Sequence, residues 1–332
     1  MRAVRLWGVR DLRVEDIPLP AAPAAGEVTL RVTAAGICGS DLHNFATGAW
    51  ISRSPSVAGH EFTGVVTALG PEVSHVAAGD SVAVDSRVVC GICQNCREGL
   101  GQICEKLGFL GEVIDGGFAE YVTLPARNVL RAPSDIPVRH LAMAEPLAVA
   151  LHAVARLNAP KGAPVLVTGA GAIGALSALV LGNRGHKVLI ADRNQTRAMR
   201  AASAADGEVV SLDALPVPAP RYALDATGSP EVISQLVQSL RGGGAIALVG
   251  IGSRDLTFNP TLLVEREIAL IGCHAFGDEL AEAVALLPAL EARLDQVIDA
   301  QIPLEAVPAA YNLHLNGALS GAKTIILPEA DQ

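Results

Sequence analysis

"APVLVTGAGAIGALSALVLGNRG", residues 163–185, decides the fold. A short β-branched run leads into a glycine-rich turn and then into an aliphatic stretch of helical length. Gly169, Gly171 and Gly174 form G-x-G-x-x-G at that junction, with Ala172 and Ile173 between the last two glycines. In the order strand, turn, helix, the glycines permit a tight turn and let backbone N–H groups approach a pyrophosphate at the helix N-terminus. The next strand ends in Asp192, 18 residues beyond Gly174. A carboxylate there accepts hydrogen bonds from a ribose 2′-hydroxyl and repels a 2′-phosphate, so NAD is expected rather than NADP. The neighbouring cation Arg193 partly offsets that repulsion.

The same pattern continues downstream. "HKVLIADR" (186–193), "GEVVSL" (207–212), "RYALDATG" (221–228), "GAIALVGIG" (244–252) and "REIALIGC" (266–273) read as apolar strands. "NQTRAMRAASA" (194–204) and "PEVISQLVQSLRGG" (230–243) read as helices between them. With the first strand that makes six, an α/β pattern of a doubly wound parallel sheet covered on both faces. The Pro-rich piece "LPVPAPR" (215–221) replaces one crossover helix with a loop. Residues 1 to about 130 differ. "EVTLRVTAAG", "EFTGVVTALG" and "DSVAVD" are short β-branched runs bounded by turn residues, with no long amphipathic helix between them. The tail reads as a helix from "GDELAEAVALLPAL" (277–290) and a final strand "AKTIILP" (322–328).

The chain has 332 residues, room for about two domains. Half of it is hydrophobic but only 3% is aromatic, so the cores are aliphatic. A net charge of -9 without a basic block excludes nucleic acid as a partner. The N-terminus "MRAVRLWGVRDLRVED" is charged throughout and carries no signal-peptide core. One uncharged run, 162–183, is long enough to span a bilayer, but Pro164 and the clustered glycines assign it to the dinucleotide turn instead. No membrane association is expected.

Four of the six cysteines lie within "CGICQNCREGLGQIC", residues 90–104. Cys90, Cys93, Cys96 and Cys104 are too close in sequence for independent loop-closing disulfides. Four thiolates on one short loop close a tetrahedron around Zn²⁺, which points to reduced thiols and a cytoplasmic protein. A fully sulfur-ligated zinc leaves no position for substrate, so this site is structural. A second set is dispersed. "GICGSDLH" (36–43) holds Cys38, Ser40, Asp41 and His43; "GHEFTG" (59–64) holds His60 and Glu61; "AEPLAVALHA" (144–153) holds Glu145. Cysteine, histidine and a carboxylate make three protein ligands and keep one position open, the pattern of a catalytic zinc.

Together these motifs, with "DGGFAEYV" (115–122), resemble the zinc-dependent medium-chain dehydrogenases over nearly the whole chain, and most closely the sorbitol, L-idonate and threonine dehydrogenase branch. The resemblance implies a GroES-like, β-rich catalytic domain of residues 1–146, with 272–332 returning to it, and an inserted Rossmann domain of 147–271. It implies two zinc ions per chain, the catalytic one held by Cys38, His60 and either Glu61 or Glu145. Relatives differ in which carboxylate binds. It implies hydride transfer from a secondary alcohol of a polyol, sugar acid or related small molecule to NAD. Ser40 would take the hydroxyl proton and His43 would relay it to solvent. A homodimer or homotetramer is implied as well.

Two departures from the polyol branch bear on substrate. Asn44 follows the relay histidine where an aromatic is common, and "GCHAFG" (272–277) has Ala275 and Phe276 where sorbitol dehydrogenases carry an Arg–aromatic pair. Asn44, Phe45, Trp50, Phe109, His274 and Phe276 are the expected pocket lining, and His75, His140, His186 and His314 are expected on loops or solvated faces. Substrates elsewhere in the superfamily, simple secondary alcohols or an amino alcohol such as threonine, are the alternative. A non-enzymatic zinc- and nucleotide-binding protein is the alternative of a different class. It has no need of an open zinc site and a proton relay together.

Overall fold

The computed structural model describes residues 1–317 and 321–328. The N-terminal part runs β1 (Arg2–Gly8), β2 (Asp11–Asp16), β3 (Glu27–Gly36), α1 (Gly39–Thr47), β4 (Ser56–Val57), β5 (Glu61–Leu69), β6 (Ser81–Val84), β7 (Arg87–Val88), α2 (Gln94–Arg97), β8 (Gly108–Phe109), β9 (Tyr121–Pro125) and β10 (Val129–Arg131). Two helices follow, α3 (Val138–Leu141) and α4 (Ala144–Leu157). The middle part alternates β11 (Val165–Thr168), α5 (Ala172–Asn183), β12 (Val188–Ala191), α6 (Gln195–Ala205), β13 (Glu208–Val209), β14 (Tyr222–Asp225), α7 (Pro230–Ser239), β15 (Ala245–Leu248), α8 (Thr261–Arg266) and β16 (Ala269–Gly272). The chain then forms α9 (Leu280–Val297), β17 (Ile298–Ile302), α10 (Val307–Leu315) and β18 (Lys323–Ile326).

The six middle strands form one parallel sheet in the order β13-β12-β11-β14-β15-β16. Strand order reverses between β11 and β14, and in such sheets ligands bind at the carboxyl ends beside that reversal. Helix α5 is apolar all round, and Gly174–Leu181 are all buried, because sheet and neighbouring helices cover every face. The uncharged run 162–183 is thus a strand and a helix of this layer, and among the described residues no helix is long and apolar enough to cross a membrane. Between β13 and β14 the proline-rich segment crosses without a helix. A Cβ on Gly174 would stand 1.7 Å from the Gly169 carbonyl oxygen, so only glycine lets helix and turn close here.

The β-rich part folds around a mixed sheet in the order β10-β6-β5-β3-β18-β17, with β9 also on β3; its pairs are antiparallel except β17 and β18, which run parallel. The tail therefore reaches back to the N-terminal sheet: β18 lies beside β3, pairing Ile325 with Gly36. Strand β17 and helix α10 add to the helix and strand expected there. Helix α9 packs on α4, α5 and α6, and its buried leucines share the core of the parallel sheet. A second core, with Val28, Leu30, Phe62, Phe118 and Tyr311, fills the β-rich part. The short helix α1 is an addition to the strands and turns expected before residue 130.

Candidate active site

Register brings the dispersed ligands together. Strands β3 and β5 are antiparallel and pair Gly36 with Glu61. Cys38, two residues past the end of one strand, therefore meets His60, one residue before the start of the other. Ligand atoms of Cys38, His60 and Glu61 all lie within 4.8 Å of one another. Cys38 is the N-cap of α1, and Asp41 in its first turn accepts the Cys38 backbone N–H at 3.0 Å. The same carboxylate stands 3.1 Å from His60 Nδ1. That contact fixes Nδ1 as the protonated nitrogen and leaves the Nε2 lone pair for a metal. Burial disfavours charge on His60, but Asp41 and Cys38 outweigh it and raise its pKa well above the ordinary imidazole value. The cluster attracts a cation.

Both candidate carboxylates are buried. Glu61 Oε2 pairs with the ammonium of Lys323 on β18, and Oε1 is buried with no hydrogen-bond partner among the described residues. Lys323 also donates to the Ile37 carbonyl at 3.0 Å. Glu145, in the first turn of α4, accepts the Ser86 hydroxyl at 2.6 Å. Burial pushes its pKa up to about 7; His60 opposes the rise and Glu61 adds to it. Gly36 leaves space for this arrangement, since a Cβ there would lie 2.5 Å from Glu61 Oε2 and 3.0 Å from Lys323 Cε. A thiol, an imidazole with a free Nε2 and an orphaned carboxylate oxygen fit a borderline cation such as zinc.

Ser40 donates to Cys38 Sγ at 3.2 Å, and His43 lies one helical turn further on α1, its ring tilted at 44° to that of Trp50 with centroids 5.0 Å apart. Phe109 stands between His60 and His274, 6.2 Å from each ring. The other three lining expectations need correction. Phe45 is buried edge-on against Tyr311, because α1 packs its apolar face onto α10. Phe276 is fully buried beneath the Arg87 guanidinium, 4.3 Å from the ring centre. Asn44 is buried too, its Oδ1 accepting the Trp50 backbone N–H at 2.8 Å, so it braces a turn. His140 is likewise not solvated: it is buried, with Nε2 2.7 Å from Asp295.

The four cysteines of the lobe also converge within 4.8 Å. Cys90 and Cys96 sulfurs are 4.0 Å apart, and Cys93 and Cys104 3.9 Å. A tetrahedron with Zn–S bonds of about 2.3 Å has edges of about 3.8 Å. Backbone N–H groups of Ile92 and Cys93 bring the Cys90 thiol down to about 6, whereas desolvation and neighbouring thiols push Cys96 up to about 12. The lobe cannot hold four negative charges without a cation.

At the carboxyl ends of the parallel strands lies a cleft of about 830 Å³ lined by Gly169, Gly171, Asp192, Arg193, Thr227 and Arg254. Ala172, Ile173 and Gly174 begin α5 beside it. Asp192 accepts the backbone N–H groups of Ala170 and Asn194, each at 2.6 Å, which holds its carboxylate at the cleft floor. Asp225, buried at the end of β14, gathers Thr168, Thr227 and the Gly228 N–H into the opposite wall. Sequence reading missed Lys323, Ser86 and Asp225. Only Lys323 left a signal, a lone cation in the apolar run "AKTIILP".

Comparison with known proteins agrees with this geometry. Residues 24–134 match the alcohol dehydrogenase GroES-like domain and residues 172–289 the zinc-binding dehydrogenase family. The L-threonine 3-dehydrogenase of Streptomyces coelicolor is 34% identical over 307 residues, 86% of each chain. The crystal structure of 2R,3R-butanediol dehydrogenase from Bacillus subtilis superposes with a TM-score of 0.91 at 26% identity, covering 99% of both chains. A short chain alcohol dehydrogenase from E. coli CFT073, complexed with NADH, gives 0.90 at 27% identity over 98% of this chain and 99% of that one. The chain belongs to the zinc-binding dehydrogenases with a GroES-like domain, oxidoreductases acting on alcohol groups.

Proposed function

We propose that the protein transfers a hydride from a secondary alcohol of a polyol, sugar acid or related small molecule to NAD. The observation that carries this reading is the Cys38–His60–Glu61 cluster, with an unpartnered Glu61 oxygen. Cys38 and His60, with Glu61 or Glu145, would hold a catalytic zinc; Cys90, Cys93, Cys96 and Cys104 would hold a structural one. When bound, the zinc supplies a Lewis acid for the alcohol oxygen and the dinucleotide supplies the hydride acceptor. Asp41 keeps His60 in the ligating tautomer. Ser40 takes the hydroxyl proton and His43 carries it toward solvent, a task that suits an imidazole. Asp192 favours an unphosphorylated ribose, which supports NAD over NADP.

Residues 1–146 with 272–332 would form the catalytic portion and 147–271 the cofactor portion. A homodimer or homotetramer is proposed through β16, the outer strand of the parallel sheet, whose unpaired edge needs cover. Oxidation of an amino alcohol such as threonine is a second reading, supported by the 34% identity to a threonine dehydrogenase. The test is a screen of polyols, sugar acids, secondary alcohols and threonine with NAD and NADP, following reduced nicotinamide. Turnover of a hydroxylated substrate with NAD supports the proposal, and no turnover of any alcohol refutes it.

A further inference from the structure

A small cavity lies beside Asp41 and shares no lining residue with the dinucleotide cleft. Its volume is about 10 Å³, room for about one water molecule. Leu6 and Phe45 give it apolar walls. Its polar residues are Asp41 and Asn44 of α1, Tyr311 of α10, and Glu112 in the turn after β8. A purely apolar cavity stays dry, whereas one that offers several hydrogen-bonding groups holds a water.

Each of the four polar residues has hydrogen-bonding capacity to spare. Asp41 Oδ2 accepts the Cys38 backbone N–H at 3.0 Å and Oδ1 faces His60 Nδ1 at 3.1 Å, which leaves a further lone pair on each oxygen. Asn44 uses its amide oxygen on Trp50 and keeps its N–H donors. Tyr311 is 1% exposed, and its hydroxyl has no hydrogen-bond partner among the described residues. That oxygen is not one of the side-chain atoms that lack both surface and partner, so the little surface Tyr311 keeps lies there, on the cavity. Burial, with the charges of Asp41, Cys38 and Glu61, holds the phenol well above its ordinary pKa, so the hydroxyl remains a donor. The Glu112 side chain is half-buried and also without a partner among the described residues. Burial pushes its pKa up to about 7; His60 opposes the rise and Asp41 adds to it, so it stands within electrostatic reach of both. A carboxyl group has an accepting oxygen in either charge state. Two donors and two acceptors are the complement that one water can satisfy.

We propose that this cavity holds one ordered water, kept by Tyr311 and Glu112 against the Asp41 carboxylate, and that Tyr311 is thereby a positioning residue of the Cys38–His60 centre. The water fixes the orientation of Asp41, and Asp41 fixes the ring of His60. Groups that orient a ligating histidine strengthen metal binding. The inference rests on the zinc-dehydrogenase reading above, because it requires a metal at Cys38 and His60.

The test follows zinc release to a chelator from the zinc-loaded protein, with the four-cysteine lobe as internal control. Tyr311→Phe keeps the ring edge-on to Phe45 and removes only the hydroxyl. It should speed release from the Cys38–His60 centre about tenfold and leave release from the lobe unchanged. Asp41→Asn should speed the same release, and adding Tyr311→Phe to it should cost little more, since both act through one carboxylate. A crystal structure of the zinc-loaded wild type should show the water within hydrogen-bond distance of Asp41 and Tyr311. An empty cavity, an unchanged rate in Tyr311→Phe, equal acceleration at both zinc sites, or fully additive effects with Asp41→Asn would each overturn the inference and leave the dehydrogenase reading intact. A wild type that binds zinc only at the lobe would overturn both.

Discussion

Lys323 on β18 holds its ammonium against the carboxylate of Glu61 on β5, with the two side chains 0% and 1% exposed. The contact joins the tail of the chain to the centre of the candidate site. Burial disfavours the lysine charge, but Glu61 and Cys38 outweigh that and raise its pKa above the ordinary value. Removing one partner strands the other charge in the interior. Lys323→Met is expected to destabilise the metal-free protein by about 3–5 kcal/mol in urea denaturation. Adding Glu61→Gln should restore part of that loss, because no buried charge is then left unpaired. A Lys323→Met protein as stable as wild type would show that the pair is not what seats the tail strand.

Gly36 tests the same arrangement sterically. Gly36→Ala places a methyl 2.5 Å from Glu61 Oε2 and 3.0 Å from Lys323 Cε, against two buried and mutually paired side chains. A loss of about 1–3 kcal/mol is expected from overpacking, with weaker zinc retention in competition with a chelator. Wild-type stability and zinc retention would mean that Glu61 has room to move.

Asp295 ties α9 to α3. The Arg139 hydrogen bond outweighs a small burial cost and, with His140, takes Asp295 from 3.8 down to about 2. A carboxylate with a depressed folded pKa stabilises above its unfolded value, and loses that contribution as pH falls through the folded one. Asp295→Asn should therefore lower Tm at neutral pH, and the gap to wild type should close between about pH 4 and pH 2. Asp295 is 48% exposed, so the effect is under about 1 kcal/mol after solvent screening. A gap that persists undiminished at the acid end would assign it to packing.

The proposed role of Asp192 in cofactor choice is testable by substitution. Asp192→Ala should raise KM for NAD about tenfold and narrow the gap to NADP, by loss of charge-assisted hydrogen bonds to the ribose. Steady-state kinetics with both cofactors is the measurement, and an unchanged NAD/NADP ratio would remove Asp192 from that role.

The parallel sheet was legible in sequence because its four inner strands are largely buried and read as short apolar runs. All six appear where "VLVT", "VLIA" and their successors place them. The candidate metal clusters were legible because cysteine, histidine and glycine cluster in short motifs. What could not be read was pairing between distant segments. Lys323 reaches Glu61 only because β18 inserts beside β3, and no local pattern encodes that register. Phe45 and Phe276 show the same limit, since an aromatic next to a site motif looks alike in sequence whether it lines a cleft or fills a core. The helix α1 was hidden because its N-cap is Cys38, where serine, threonine, aspartate or asparagine usually marks a start.

The most direct measurement is zinc content per chain together with alcohol-dependent NAD reduction, for wild type and Cys38→Ser. Wild type is predicted to hold two zinc ions and to reduce NAD with a hydroxylated substrate. Cys38→Ser is predicted to hold one, at the four-cysteine lobe, and to lose turnover while remaining folded. A Cys38→Ser protein that keeps both zinc ions and full turnover would contradict the assignment of the working metal to the Cys38–His60 centre.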